Sequence, residues 1–379
     1  MKVKIVVPVW GDNYIKTFLN LSLPSQMCDD GIPTLAQENV VSFVIYTTSD
    51  GLHNFSTSPI IQKLESLVQV SYVLISSKLM ADSYRAFSKA YAHEINKSSK
   101  LNECVYLLNA DIITSCEFYR ETLNKIKLGY KAVNVTCPRA GLNGVEKFVS
   151  SEYQSSKNFG YQIGAVAAKD IWLANIHPLM QLHKMPKSLS EDVHPSSFYW
   201  KSESGGVYIR SFHLYPILIY PNGKKVGWAK TIDASALADL KISHEDVYTE
   251  VFNKDFFCFE VTIESRRFSG AGPADQLNTY LNYFRSSDAS NYINLTYEIT
   301  IGDIQTDEIK SLRAAANDFL LEITVNALGL PNGHFPVLRR YFVRLGRIIY
   351  SNRRFFPEFL ILILKKIYRW IDKVLFRVR

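Results

Sequence analysis

At 379 residues, 47% of them hydrophobic, the chain is long enough to bury a large core and too apolar to be disordered. Its net charge of +7 is unevenly spread: residues 339–379 carry twelve Lys/Arg against Glu358 and Asp372, which leaves the preceding residues at −3. No run reaches the roughly 18 apolar residues of a membrane span, and the absence of GxGxxG after the first strand and of GxxxxGK[ST] argues against a dinucleotide oxidoreductase or a P-loop NTPase.

Residues 3–9 (VKIVVPV) are apolar and β-branched, the pattern of a central parallel strand, and they run into Trp10-Gly11-Asp12. Helix-permissive sequence follows over 13–21. A second strand at 41–46 (VSFVIY) ends in Thr47-Thr48-Ser49-Asp50. Ser58 and Pro59 suit the N-cap and first position of a helix over 59–67. A third strand at 68–75 precedes a helix over 80–95 with apolar residues at helical spacing. The pattern centres on 104–114, CVYLLNADIIT, where an apolar run reads as a fully buried strand and stops on Asn109-Ala110-Asp111 at its carboxyl end. A helix over 117–128 and a strand at 132–136, closing on Cys137-Pro138-Arg139, complete a β-α alternation. That alternation predicts an α/β doubly wound parallel sheet with helices on both faces.

Beyond residue 141 the rhythm changes. A short strand over 160–168, a helix over 171–179, a polar loop over 187–195, a long strand or hairpin over 207–220 carrying His213, and a strand over 256–262 are expected. Helices follow over 274–284 and 307–328. Residues 335–379 alternate Arg and Lys with apolar and aromatic residues at near-helical spacing, which predicts in-plane binding to an anionic membrane surface rather than to nucleic acid. A core helix or an oligomer seam would give the same stripe. Five cysteines, with no CxxC, fit a reduced, cytoplasmic setting.

In an open α/β sheet, ligands bind where the strands present their carboxyl ends. A carboxylate delivered there can hold a divalent cation against a diphosphate, because hard cations take oxygen ligands. Alone, Asp111 would equally suit a helix cap.

A first strand ending in Pro-Val-Trp, with a later strand ending in Asn-x-Asp, resembles the GT-A fold of nucleotide-sugar-dependent glycosyltransferases, over residues 1–265. The resemblance implies a Rossmann-like, doubly wound mixed sheet, with nucleotide-sugar binding in 1–140 and the acceptor side in 141–265. A helical subdomain at 266–334 and the basic amphipathic tail at 335–379 would follow. It further implies that Pro8, Trp10, Gly11, Thr47 and Ser49 contact base and ribose, and that Asn109 and Asp111 stand where the family has DxD. Asp111 and a late histidine, His213, would hold Mn²⁺ or Mg²⁺. The general base toward the acceptor would be Asp192, from Ser190-Glu191-Asp192, or else Asp233. Asn109 departs from the family pattern by bringing no charge, and Arg85, Lys89 and Arg139 are the cations that would face a diphosphate without a metal.

The implied activity is transfer of a sugar from a nucleotide-sugar donor to a glycan or lipid-linked acceptor, at the inner face of the cell membrane, in cell-surface polysaccharide assembly. A nucleotidyltransferase shares the sheet logic but would carry a Gly-rich first loop with Lys or Arg, in which Trp10-Gly11-Asp12-Asn13 is poor. A non-catalytic membrane scaffold would tolerate the asparagine.

Overall fold

The structure, a computed structural model, describes residues 1–76, 83–153, 159–181, 197–227, 232–265 and 294–327. Its strands are β1 (Lys2–Pro8), β2 (Val40–Thr47), β3 (Gln69–Leu74), β4 (Cys104–Leu107), β5 (Ile112–Thr114), β6 (Ala132–Val135), β7 (Arg139–Gly141), β8 (Ser197–Lys201), β9 (Val207–Ser211), β10 (Tyr215–Ile219), β11 (Val247–Thr249), β12 (Cys258–Thr262) and β13 (Ile299–Ile301). The large sheet has the order β11-β6-β10-β4-β1-β2-β3. Within it β10 runs antiparallel to β4 and β6, and the other pairings are parallel. The sheet is therefore mixed and mostly parallel.

Alternation along β1 shows why helices cover both faces. Val3, Ile5 and Val7 pack with Phe43, Phe55, Tyr106 and Phe118 in one layer, while Val6 meets Val105, Leu107, Ala92 and Ile95 in the other. Each such side chain contributes about 1.5–3 kcal/mol when fully buried. The first layer is closed by helices Asp12–Thr17, Ile32–Glu38, Pro59–Glu65 and Phe118–Lys127, and the second by Ser83–Leu101 and Ile232–Asp239.

Lys4 interrupts the apolar pattern at 4% exposure. Its ammonium lies 3.0 Å from Glu94 and 3.2 Å from Glu103, and Glu94 also accepts from the Tyr46 hydroxyl at 2.8 Å. Burial pushes the Glu94 carboxyl up, but the Tyr46 bond and the Lys4 charge outweigh it and hold the group below its ordinary 4.5. The cluster pins helix Ser83–Leu101 to β1 and β2.

Two three-stranded sheets flank the large one. In the order β5-β12-β7, the first packs Phe257 and Phe259 against Trp172 and Val145 of the helices Ala165–Ala174 and Leu142–Glu152. In the order β13-β9-β8, the second packs Phe198, Trp200 and Tyr208 against Ala316 of helix Thr306–Ala327. Arg210 fastens it, donating from Nη1 to the carbonyls of Leu295 at 3.0 Å and Thr296 at 2.9 Å.

Three expectations differ from this picture. The stretch over 207–220 is two strands in different sheets, because Phe212 and Leu214 turn into separate cores. Residues 160–164 are irregular and a helix begins at Ala165, so the strand expected there does not form. The helix over 171–179 is split into Ala165–Ala174 and Pro178–Gln181. The loop over 187–195, the helix over 274–284 and the tail over 335–379 lie outside the described residues. Among the described residues no helix is long and apolar enough to cross a membrane.

Lys4→Met would leave Glu94, its side chain 1% exposed, buried without its cation. The expected loss is about 3–5 kcal/mol in urea unfolding, much of it recovered in Lys4→Met/Glu94→Gln. With its folded pKa depressed, Glu94 contributes fully above 4.5 and loses that contribution as pH falls through the folded value. Wild-type stability should therefore drop on acidification, and Glu94→Gln should lack that part of the drop.

Candidate functional site

The strands β1, β2, β4 and β6 end on one edge, at Pro8, Thr47, Leu107 and Val135. Past Leu107, the Leu108 amide still donates to the Val6 carbonyl at 3.0 Å, so the chain stays in line with β1. Leu108 and Ala110 turn into the first core layer. Asn109 and Asp111 are left at the rim. Asn109 Oδ1 accepts from the Tyr91 hydroxyl at 2.8 Å, and the Tyr215 hydroxyl lies 3.3 Å from both of them. What Asn109 retains for a ligand is its amide donor end.

Asp111 is 4% exposed. Its carbonyl accepts from the Val261 amide at 2.9 Å, which fixes the end of β12 beside it. The register of β12 with β7 sets Glu260 opposite Arg139, and Arg139 Nε donates to Glu260 at 2.8 Å. Glu260 first, and Asp111 in addition, raise the guanidinium above its ordinary pKa. One cation thus serves two carboxylates. The Arg139 backbone is held as well, its carbonyl accepting from Trp172 Nε1 at 3.0 Å.

Cys137 carries the chain from β6 to β7 with a φ of 42°, a left-handed conformation costing a non-glycine residue about 1–2 kcal/mol. A hydrogen bond with Cys258 and then burial push its thiol well above the ordinary value. Burial likewise raises the Tyr91 hydroxyl, with Tyr215 opposing and the Asp111 charge adding to it. Cys137 and Tyr91, both near Asp111, therefore keep their protons.

Asp111 also lines a cleft of about 270 Å³. One wall is the helix after β1, with Asn13, Tyr14 and Thr17, and the other is the end of β12, with Thr262 and Ser265. Gly11, at φ 80°, makes the turn into that helix. The segment behind it is fastened to β5: Ser22 Oγ donates to the Ile112 carbonyl at 2.6 Å, and the Thr114 amide donates to Ser25 Oγ at 3.1 Å. The cleft is built into the fold. Thr262, 5% exposed, has a hydroxyl with no partner among the described residues.

The remaining sequence candidates are scattered. Pro8 is buried at the end of β1, and Trp10 is half-buried against Phe87 with ring centroids 4.5 Å apart. Thr47 faces inward beneath helix Ser49–Ser56, where a Cβ on Gly51 would come within 2.3 Å of its hydroxyl. Thr48 caps that helix by accepting from the Gly51 amide at 3.1 Å, and Ser49 is exposed on it. His213 is half-buried in the bend between β9 and β10, its carbonyl accepting from Ser211 Oγ at 2.6 Å. Among the described residues no three His, Cys, Asp or Glu side chains gather around one point. Arg85 and Lys89 lie on the same helix as Tyr91. Asp192 is outside the described residues, and Asp233 is on helix Ile232–Asp239 with its side chain outside them.

Glu260, Tyr91, Tyr215 and Thr262 were not singled out from the sequence. Glu260 had a signal, as the lone charge in the apolar strand FFCFEVT. The tyrosines had none, since in a chain with 22 of them ring content marks nothing.

No family model matches the chain, and no curated protein does. Among solved structures it is similar to apo mouse xyloside xylosyltransferase 1, at 8% identity and a TM-score of 0.24 over 40% of this chain and 58% of that one. It is also similar to a Bacillus anthracis protein assigned as a glucose-1-phosphate thymidylyltransferase, in complex with a sucrose, at 12% identity and a TM-score of 0.22 over 38% and 57%. The chain thus spans under two thirds of the length of either.

Arg139→Met removes the cation between Asp111 and Glu260. The expected cost is about 1.5–3 kcal/mol of unfolding free energy, the range for a charged hydrogen bond. Arg139→Met/Glu260→Leu should cost less than the single change, and strictly additive effects would show that the pair is uncoupled.

Proposed function

We propose that the chain is a GT-A-like glycosyltransferase, moving a sugar from a nucleotide-sugar donor to a glycan or lipid-linked acceptor. The carrying observation is the position of Asp111: a desolvated carboxylate at the end of a fully buried central strand, lining a preformed cleft, with Arg139 beside it. A strand-end carboxylate in a cleft is what a transferase needs to manage a departing diphosphate.

The rim also suits a divalent ion. Mg²⁺ is commonly held through one or two carboxylates plus substrate phosphates, and Asp111 supplies one. Asn109 is a poorer ligand, because its oxygen already accepts from two tyrosine hydroxyls. When bound, such an ion would offset charge on the leaving diphosphate. Arg139 acts on Asp111 itself, setting an opposite charge near the carboxyl group in a desolvated position. Trp10, half-buried at the end of β1, is the ring offered to the nucleotide base, with Gly11 and Ser49 near the ribose. Asp192, and after it Asp233, are the proposed bases toward the acceptor. The basic tail over 335–379 would bring the enzyme to a lipid-linked acceptor at the inner face of the membrane.

Thermal-shift measurements with UDP, GDP, CMP and dTDP, each with and without Mn²⁺, test this directly. One diphosphonucleotide should stabilise the chain in a metal-dependent way, by about 2.7 kcal/mol at a hundredfold excess over Kd. Asp111→Asn should fold, lose that metal dependence and lose turnover. Silence toward every nucleotide, or an Asp111→Asn variant as active as wild type, would overturn the proposal.

A further inference from the structure

Four of the five cysteines meet in two pairs that no spacing in the sequence joins. The Cys28 thiol hydrogen-bonds with that of Cys116, and the Cys137 thiol with that of Cys258. Backbone pairing places the second pair independently of the thiols. The parallel register of β7 with β12 sets Arg139 opposite Glu260, and the Glu260 amide donates to the Pro138 carbonyl at 3.0 Å. Two residues back along each strand, the same register brings Cys137 to Cys258. Both side chains pack in the first core layer. Strands in register lie about 4.8 Å apart, inside the span of roughly 4.4–6.8 Å that a disulfide bridges between its α-carbons.

The two pairs differ in access. Cys28 and Cys116 are both buried, whereas in the second pair Cys258 is buried and Cys137 half-buried. An oxidant from solvent therefore meets Cys137 first. A small disulfide is a sufficient reagent: the Cys137 thiolate attacks one of its sulfurs and releases one thiolate, and the Cys258 thiolate then attacks the Cys137 sulfur and releases the second. The two released thiolates take up the two protons that the cysteines lose. Two protein thiols are oxidised, and one small disulfide is reduced to two thiols.

We propose that Cys137 and Cys258 are a redox-modification site, oxidised by low-molecular-weight disulfides to a protein disulfide that locks β7 to β12 and so holds Arg139 beside Glu260 at the rim of the cleft. The link has the same 121-residue separation as Arg139 and Glu260, long enough to remove much of the unfolded chain's freedom. The site does not depend on the transferase reading, since a chain inert toward every nucleotide would still form the link.

The full-length chain is incubated with cystamine at mildly alkaline pH, because the thiolate is the attacking species and Cys137 keeps its proton at neutral pH. Mass spectrometry of the intact chain should show the loss of two hydrogens, and free thiols should fall from five to three. A tryptic digest should yield peptides 132–139 and 255–266 joined. The oxidised chain should melt about 5 °C higher than the reduced one, and dithiothreitol should reverse the shift. Cys258→Ser should show neither link nor shift and should retain a cysteamine adduct on Cys137, which Cys258 would otherwise expel. Cys28→Ser should behave as wild type. Five titratable thiols after treatment, a cysteamine adduct that persists on wild-type Cys137, a link between Cys28 and Cys116 instead, or a joined pair that melts no higher than the reduced chain overturns the proposal. The digest of the wild-type chain decides the site even where a variant fails to fold.

Discussion

A carboxylate that is 4% exposed must be answered from within the protein, and Asp111 sets that demand on everything around it. Removing a charge from water costs several kcal/mol unless a cation or several donors replace the lost hydration. No residue of β4 can do this, since Cys104, Val105, Tyr106 and Leu107 are all buried and none is cationic. The answer comes from elsewhere in the chain. Arg139 reaches the rim because the left-handed Cys137 turns the chain out of β6, in the large sheet, and into β7, in another. Local backbone strain there is outweighed by the pairing it makes possible.

The same constraint explains why two sheets meet at this rim. β5 follows Asp111 immediately and pairs with β12, so the strand that supplies Glu260 and Thr262 is tied by register to the residue they surround. The helical segment after β1 is tied to β5 by Ser22 and Ser25. Both walls of the cleft therefore answer to a single short strand of three residues. Walls tied together by backbone pairing and side-chain hydrogen bonds reduce the ordering cost that a ligand would meet.

How much of this was legible in the sequence depended on the range of the interaction. β1, β2, β3, β4 and β6 were placed to within two residues at either end: all but β3 are mostly buried apolar runs, and β3 alternates exposed with half-buried residues at the sheet's edge. Helix Thr306–Ala327 falls where a helix was expected, over 307–328. β5 and β7 were not, being three residues each and defined by partners far along the chain. Thr47 misled for a related reason: a polar residue at a strand end looks like a rim residue, yet the absence of a side chain on Gly51 lets the next helix close over it. Asp111 was legible because a buried strand stops on it. Arg139 and Glu260 become partners only through a parallel register across 121 residues of chain, which no local pattern encodes.

The asparagine at 109 then acquires a physical sense. Asp111 and Glu260 already place two carboxyl groups around the single guanidinium of Arg139. An aspartate at 109 would add a third carboxyl group to a poorly solvated rim, two residues from Asp111 and with a single guanidinium to share. Asparagine keeps the acceptor that the Tyr91 and Tyr215 hydroxyls require while adding no charge. The cost is that its oxygen is spent on the protein rather than on a ligand. Of the two rim residues, Asp111 lines the cleft, and Asn109 serves the tyrosines behind it. Under the transferase proposal, a substrate would be held there less by strong ionic attraction than by the shape and hydrogen bonding of the cleft beside Asp111.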